Sequence, residues 1–268
     1  MLVRDLMHRG LVTCPPETRL GDAASLLVRH RIHAVVVADS EGRPIGVLSD
    51  TDLLVGEWLS TDAAGLEVML GMTAGELMTA RPETIDDDAP ASEAASRLRR
   101  GHILRLLVTE GGHPVGVISV SDLVASLAHA STERRCVADV MSRGIVVCAP
   151  DTPVSPAART MTERRSRSIV VVDPVGRPVG VVTGFDLLAL YQPGSDATTV
   201  AELMQPPLTI GPDASLREAA DLMLKHETHG LVVVDPERPQ TMPLGVVSTS
   251  DLVAEMAEPG SVWQDAAS

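Results

Sequence analysis

Apolar residues fall along this chain in two alternating rhythms. The first is a helical stripe. Leu20, Ala23, Ala24 and Leu27 recur at i, i+3, i+4 and i+7. Ala91, Ala94, Ala95 and Leu98 do the same, as do Val154, Ala157, Ala158 and Met161, and then Leu216, Ala219, Ala220 and Met223. That spacing puts each set on one face of a helix, and the central Ala-Ala pair is small enough to admit a close neighbour. The second rhythm is a short unbroken apolar run: "AVVVAD" from Ala34, "LLVTE" from Leu106, "IVVVD" from Ile169 and "LVVVD" from Leu231. Runs this short and β-branched predict buried strands. Gly/Pro-rich turns follow ("SEGRP", "GGHP", "PVGRP" and the longer "PERPQTMP"), then a second strand, Ile45–Leu48 and its counterparts, so each pair forms a hairpin.

The rhythms belong to one unit written four times. "GVLSDTDL" at Gly46 returns as "GVISVSDL" at Gly116, "GVVTGFDL" at Gly180 and "GVVSTSDL" at Gly245, in steps of 70, 64 and 65 residues. An upstream leader returns in step: "RDLM" ending at Met7, "GELM" at Met78, "ADVM" at Met141 and "AELM" at Met204. A brief strand such as "LVTC" or "LTI" follows each leader, and a helix opens at each S/T-x-x-D. The predicted order is β-α-β-β-α, an α/β (α+β) fold. A unit of ~60 residues buries too little surface to be stable alone. The units are therefore expected to pair, first with second over 1–128 and third with fourth over 136–257. Within these, the repeats run about 3–56, 74–128, 136–191 and 199–257. The segment 55–73 reads as an extra helical insertion, 129–135 as a polar linker and 258–268 as a flexible tail.

Composition narrows the chemistry. The hydrophobic fraction of 44% supports a real core, but aromatics are 1% of the chain: Trp58, Trp263, Tyr191 and Phe185. Any bound base must be held by aliphatic side chains and backbone. The net charge of −14 disfavours nucleic acid and anionic membrane, which need Lys and Arg facing phosphates. Cys14, Cys136 and Cys148 have neither disulfide nor zinc spacing and fit a reduced, cytoplasmic setting. No run reaches the ~18 apolar residues of a membrane span, and charge interrupts the N-terminus too often for a signal-peptide core.

The hairpin strand with "G-h-h-[S/T]-x-x-D-L", and the "V-V-V-D" strand before it, resemble the cystathionine β-synthase (CBS) domain. Four copies in register cover about residues 3–256. The resemblance implies that repeats pack in pairs, as Bateman modules. It also implies two clefts per module for adenosyl ligands such as AMP, ADP, ATP or S-adenosylmethionine. Two modules in one chain resemble the γ subunit of AMP-activated protein kinase, where they stack as a disk.

Candidate ligand residues come next. Ser49 with Asp52, Ser119 with Asp122, Thr183 with Asp186 and Ser248 with Asp251 have the spacing of a helix capping box. That box prefers Glu or Gln, yet all four acids are the shorter Asp. A carboxylate there would repel phosphate but could accept both hydroxyls of a ribose. The resemblance gives the Asp residues the ribose diol and Ser49, Ser119, Thr183 and Ser248 the phosphate. It also puts phosphate-facing basic residues just before the buried strand, at His33, Leu104-Arg105, Arg167 and His229. Protonation of His33 and His229 below about pH 6.5 would strengthen that contact. Other arginines near the first helix's end (Arg29, Arg31, Arg97, Arg99, Arg100, Arg164, Arg165) fit favourable charge at a helix C-terminus. Thr13, Thr84 and Thr209 follow the first strand and offer a further hydroxyl, where the third repeat has Val147. Asp50 makes the first repeat's site the most acidic and argues for its staying empty. Cys14 and Cys148 align with Ile85 and Ile210 and read as buried apolar residues rather than nucleophiles.

Lys225 is the only lysine and no phosphate-cradling G-x-x-x-x-G-K precedes it. The repeats leave no room for an attached enzyme. The expectation is a non-catalytic sensor: a nucleotide is held in clefts between paired repeats, no residue is assigned as a metal ligand, and a separate protein partner reads the change. A monomeric disk and a homodimer both satisfy the pattern. The alternative is a constitutive interaction scaffold with degenerate ligand sites.

Overall fold

The structure is a computed structural model, and it describes residues 1–53, 71–127, 135–164, 166–188, 198–238 and 241–257. The expected linker and tail lie almost wholly outside these residues, as do most of the 55–73 insertion and Trp58, Tyr191 and Trp263.

Each repeat has the predicted order. Repeat 1 holds β2 (Thr13–Cys14), the helix Leu20–His30, β3 (Ala34–Ala38), β4 (Pro44–Ser49) and the helix Asp50–Leu53. In repeat 2 these are β6 (Thr84–Asp86), Ala91–Gly101, β7 (Arg105–Glu110), β8 (His113–Ser119) and Val120–Leu127. Repeat 3 has β9 (Val147–Cys148), Val154–Glu163, β10 (Ser168–Val172), β11 (Pro178–Thr183) and Gly184–Leu187. Repeat 4 has β12 (Thr209–Ile210), Leu216–Lys225, β13 (Gly230–Val233), β14 (Gly245–Ser248) and Thr249–Met256. The first strand of each repeat runs parallel to the second, and the third closes an antiparallel hairpin. Every residue of the four helical stripes is buried, as a single apolar face requires.

The leaders do not complete their own repeat's sheet. The short helix Val3–Leu6 leads into β1 (His8–Arg9), which pairs with β8 of repeat 2. The helix Ala74–Leu77 leads into β5 (Thr79–Ala80), which pairs back with β4 of repeat 1. Repeats 3 and 4 exchange in the same way through bridges from Ser142 to Val246 and from Gln205 to Val181. The acid that recurs in each leader caps its own turn: Asp5 accepts from Leu2 N–H, Glu76 from Thr73, Asp139 from Cys136 and Glu202 from Thr198.

Contacts divide the molecule into two compact units, one drawn from Met1–Leu11, Glu83–Gly144 and Leu208–Ser268, the other from Val12–Pro82 and Ile145–Pro207. The first unit has one continuous core. There the Ala94-Ala95 and Ala219-Ala220 stripes pack with Leu123, Val124, Leu252, Val253 and Met256. The second has two clusters, one on the Ala23-Ala24 stripe with Leu188, the other on Ala157-Ala158.

Both recurrent markers meet at the exchange. A Cβ on Gly46 would overlap Met78, on Gly180 it would overlap Met204, and on Gly245 it would press on Met141. On Gly116 it would overlap the backbone carbonyl of His8. A thioether can swing aside, whereas a paired strand's carbonyl cannot. Gly116→Ala is therefore expected to destabilise by about 1–3 kcal/mol, more than Gly46→Ala, in denaturant melting of the full chain. Equal costs would contradict this ranking.

Candidate functional site

The turn from the hairpin into the last helix has the same geometry four times. Asp52 Oδ2 accepts from both Ser49 N–H and Ser49 Oγ at 2.7 Å. Asp122 does so from Ser119 at 2.7 Å each, Asp186 from Thr183 at 2.7 and 2.6 Å, and Asp251 from Ser248 at 2.8 and 2.6 Å. The hydroxyl in turn accepts from the Asp N–H at 3.2–3.4 Å. The capping box is thus complete despite the shorter acid, and it consumes one carboxylate oxygen, Oδ2, every time. What the other oxygen meets differs. His8 Nδ1 lies 2.9 Å from Asp122 Oδ1, and Gln205 Nε2 lies 3.5 Å from Asp186 Oδ1.

The residue before the buried strand sits beside this turn in every repeat. The carbonyls of His33, Leu104, Arg167 and His229 accept from the N–H of Asp50, Val120, Gly184 and Thr249, the residue just after the capping hydroxyl. In repeat 2 the equivalent position is therefore Leu104, and Arg105 is already the first residue of β7. The side chains of both candidate histidines have protein partners. His33 Nδ1 lies 2.7 Å from Asp50 Oδ2, and its ring centroid is 5.1 Å from that of Phe185. His229 Nδ1 lies 3.2 Å from Ser121 Oγ. Asp50 is thus turned into a part-buried pair with His33 rather than left facing solvent. Thr13, Thr84, Val147 and Thr209 hold one register position opposite Val36, Leu107, Val170 and Val232, and all four are exposed. Cys14 and Cys148 share the next position, and burial pushes both thiols up, which suits packing rather than nucleophilic chemistry.

One of the aspartates borders a sizeable opening. A cleft of about 440 Å³ is lined by Arg99, Arg135, Asp139, Val140, Asp251, Ala254 and Glu255, within the range of small-molecule sites. Arg135 pairs with Glu255, and Asp139 is held low by the Cys136 N–H. Burial pushes the Asp251 carboxyl up, against the lowering effect of the two Ser248 hydrogen bonds. Sequence reasoning missed Arg135, Asp139 and Glu255 as cleft residues. The acid recurring in each leader was a visible signal, but nothing in its spacing tied it to a particular aspartate. Among the described residues no group of three or more His, Cys, Asp or Glu is placed to hold a metal ion.

The raised Asp251 carboxyl has a consequence for stability. The folded chain holds this proton more tightly than the unfolded one, so the contribution is full below the unfolded value, about 3.9. It is lost as pH rises through the raised folded value. Asp251→Asn removes the charge and leaves an oxygen to accept from Ser248. The variant is expected to melt at or above the wild type at pH 7 and below it, or level with it, near pH 3.5. A lower melting temperature at pH 7 with the same pH slope would contradict this.

A family model described as the CBS domain matches residues 3–56, 74–129, 137–192 and 200–258. An uncharacterized protein of Methanocaldococcus jannaschii is 25% identical over 96% of this chain and 62% of its own length. The inosine-5′-monophosphate dehydrogenase of Mycobacterium tuberculosis is 32% identical over 44% of this chain and 21% of its own. The chain therefore spans less than two-thirds of the length of these curated relatives. Among solved structures, a Methanocaldococcus jannaschii protein proposed as an archaeal homologue of g-AMPK superposes with a TM-score of 0.82 at 19% identity, covering 94% of this chain and 99% of that one. A conserved protein from Pyrococcus horikoshii superposes with a TM-score of 0.65 at 20% identity, covering 94% and 98%. With four matched segments that take in most of its length, this chain belongs to the CBS domain family.

Proposed function

We propose that this chain is a non-catalytic regulatory protein that binds an adenosyl ligand, AMP, ADP, ATP or S-adenosylmethionine, at the capped turns of its repeats. The observation that carries the reading is the cleft at Asp251. Its carboxylate is half-buried at the start of the Thr249–Met256 helix, with Arg99 and Arg135 on the same cleft. A ribose diol suits such a carboxylate, and guanidinium groups suit a phosphate. Val140 and Ala254 supply the aliphatic surface on which a chain so poor in aromatics must rest a base. Holding a half-buried charge against its own solvation is a cost that a ligand-binding role explains.

The ligand changes the shape of the chain only through its differential affinity for two states, and a separate protein reads that change. Reciprocal exchange of leaders, first with second and third with fourth, supports the module division 1–128 and 136–257, whereas the compact units group repeat 2 with repeat 4 and repeat 1 with repeat 3. No helix among the described residues is long and apolar enough to cross a membrane, and all three cysteines are free; a cytoplasmic setting is part of this reading. The pairing of His33 with Asp50 and of His8 with Asp122 favours a narrower second reading, a scaffold in which some ligand sites are degenerate.

Thermal melting with each ligand tests the proposal. A true ligand at 100 times its dissociation constant stabilises by roughly 2.7 kcal/mol. Asp251→Ala should weaken it about tenfold or more, since a charge-assisted hydrogen bond contributes roughly 1.5–3 kcal/mol. No shift with any adenosyl compound would leave the scaffold.

A further inference from the structure

We propose that the residue after each leader methionine decides whether the aspartate it faces is open to a ligand, and that His8 closes the aspartate of repeat 2. The inference rests on the reading of these aspartates as ribose-binding groups. Four positions are equivalent by strand register: His8 opposite Val117, Thr79 opposite Val47, Ser142 opposite Val246 and Gln205 opposite Val181. Each of these valines follows the motif glycine and stands two residues before the capping Ser or Thr. A long side chain at this position reaches the carboxylate of the repeat that the leader completes. His8 does so at 2.9 Å and Gln205, more weakly, at 3.5 Å.

In repeat 2 the consequence is full occupancy. Asp122 Oδ2 is taken by the N–H and hydroxyl of Ser119, and Oδ1 by His8. Its side chain is 7% exposed, while the His8 ring above it is 82% exposed. A ribose diol must displace the imidazole before it reaches an oxygen. At the equivalent position of repeat 4 stands Ser142, whose Oγ is one bond nearer its backbone than the Nδ1 with which His8 reaches Asp122. The leader residues Asp139 and Val140 border the cleft together with Asp251. The difference between a closed and an open aspartate thus lies in a residue contributed by the exchanged leader, not in the motif itself.

The exposed His8 ring is not needed for the β1–β8 backbone pairing, so the side chain can be exchanged in the full chain, with melting as a check on folding. The test is calorimetry with AMP as the probe. His8→Ser should add one AMP site per chain, and adding Asp122→Asn to it should remove that site again. The reciprocal change, Ser142→His, should weaken binding at Asp251 about tenfold or more. Should wild-type chain bind AMP while either variant leaves stoichiometry and affinity unchanged, the gating role is wrong. It is also wrong if Asp122→Asn alone removes an AMP site from the wild type. Absence of AMP binding by the wild type and by His8→Ser alike would instead overturn the adenosyl reading on which this one rests.

Discussion

A methionine lying on a glycine is the contact on which the sheets depend. In three repeats the thioether of a leader methionine fills the space where a Cβ would stand on Gly46, Gly180 or Gly245. In repeat 2 the backbone of His8 fills it on Gly116. The glycine is not there for backbone freedom, because none of the four has a positive φ. It is there because a strand from another repeat must come close enough to pair. Once the leader is seated, it pairs with the sheet edge through two residues in repeats 1 and 2 and a single bridge in repeats 3 and 4, its acid caps its own turn, and the residue after the methionine stands opposite the strand that ends at the capping hydroxyl. Register, edge protection and site access all follow from one close approach.

The capped turn serves two ends with one carboxylate. Oδ2 holds the helix start in all four repeats, and this fixes the position of Oδ1. The aspartate is short, so it stays close to the turn rather than reaching past it, as a glutamate would. Where Oδ1 meets His8 the group is satisfied internally, as a buried carboxylate should be. Where Asp251 borders the cleft, burial works against its charge. The four copies therefore share a structural role and differ in what else they can do.

The architecture was legible because it is periodic. The Ala-Ala stripes, the valine runs and the motif glycines recur in register, and each recurrence checks the others. The capping boxes were legible too, because they are local. The exchange was not. His8–Arg9 and Thr79–Ala80 are two-residue strands with no periodicity to read, and their partners lie far along the chain. For the same reason the sequence could mark Asp50 as an extra charge on the first site but could not pair it with His33. Nor could it place Arg99, Arg135 and Asp139 beside Asp251, because these come from segments far apart in the chain; Glu255, four residues on in the same helix, is the one cleft partner that spacing could have found.

Exchange also sets an order of events during synthesis. The leader of repeat 1 leaves the ribosome first, yet its acceptor strand, His113–Ser119, is not made until repeat 2 is nearly complete. The leader of repeat 2 emerges onto an acceptor, Pro44–Ser49, that already exists. The second half repeats this: Ser142 waits for Val246, whereas Gln205 finds Val181 already translated. A nascent chain halted before its fourth repeat would thus carry Met141 with no glycine to rest on.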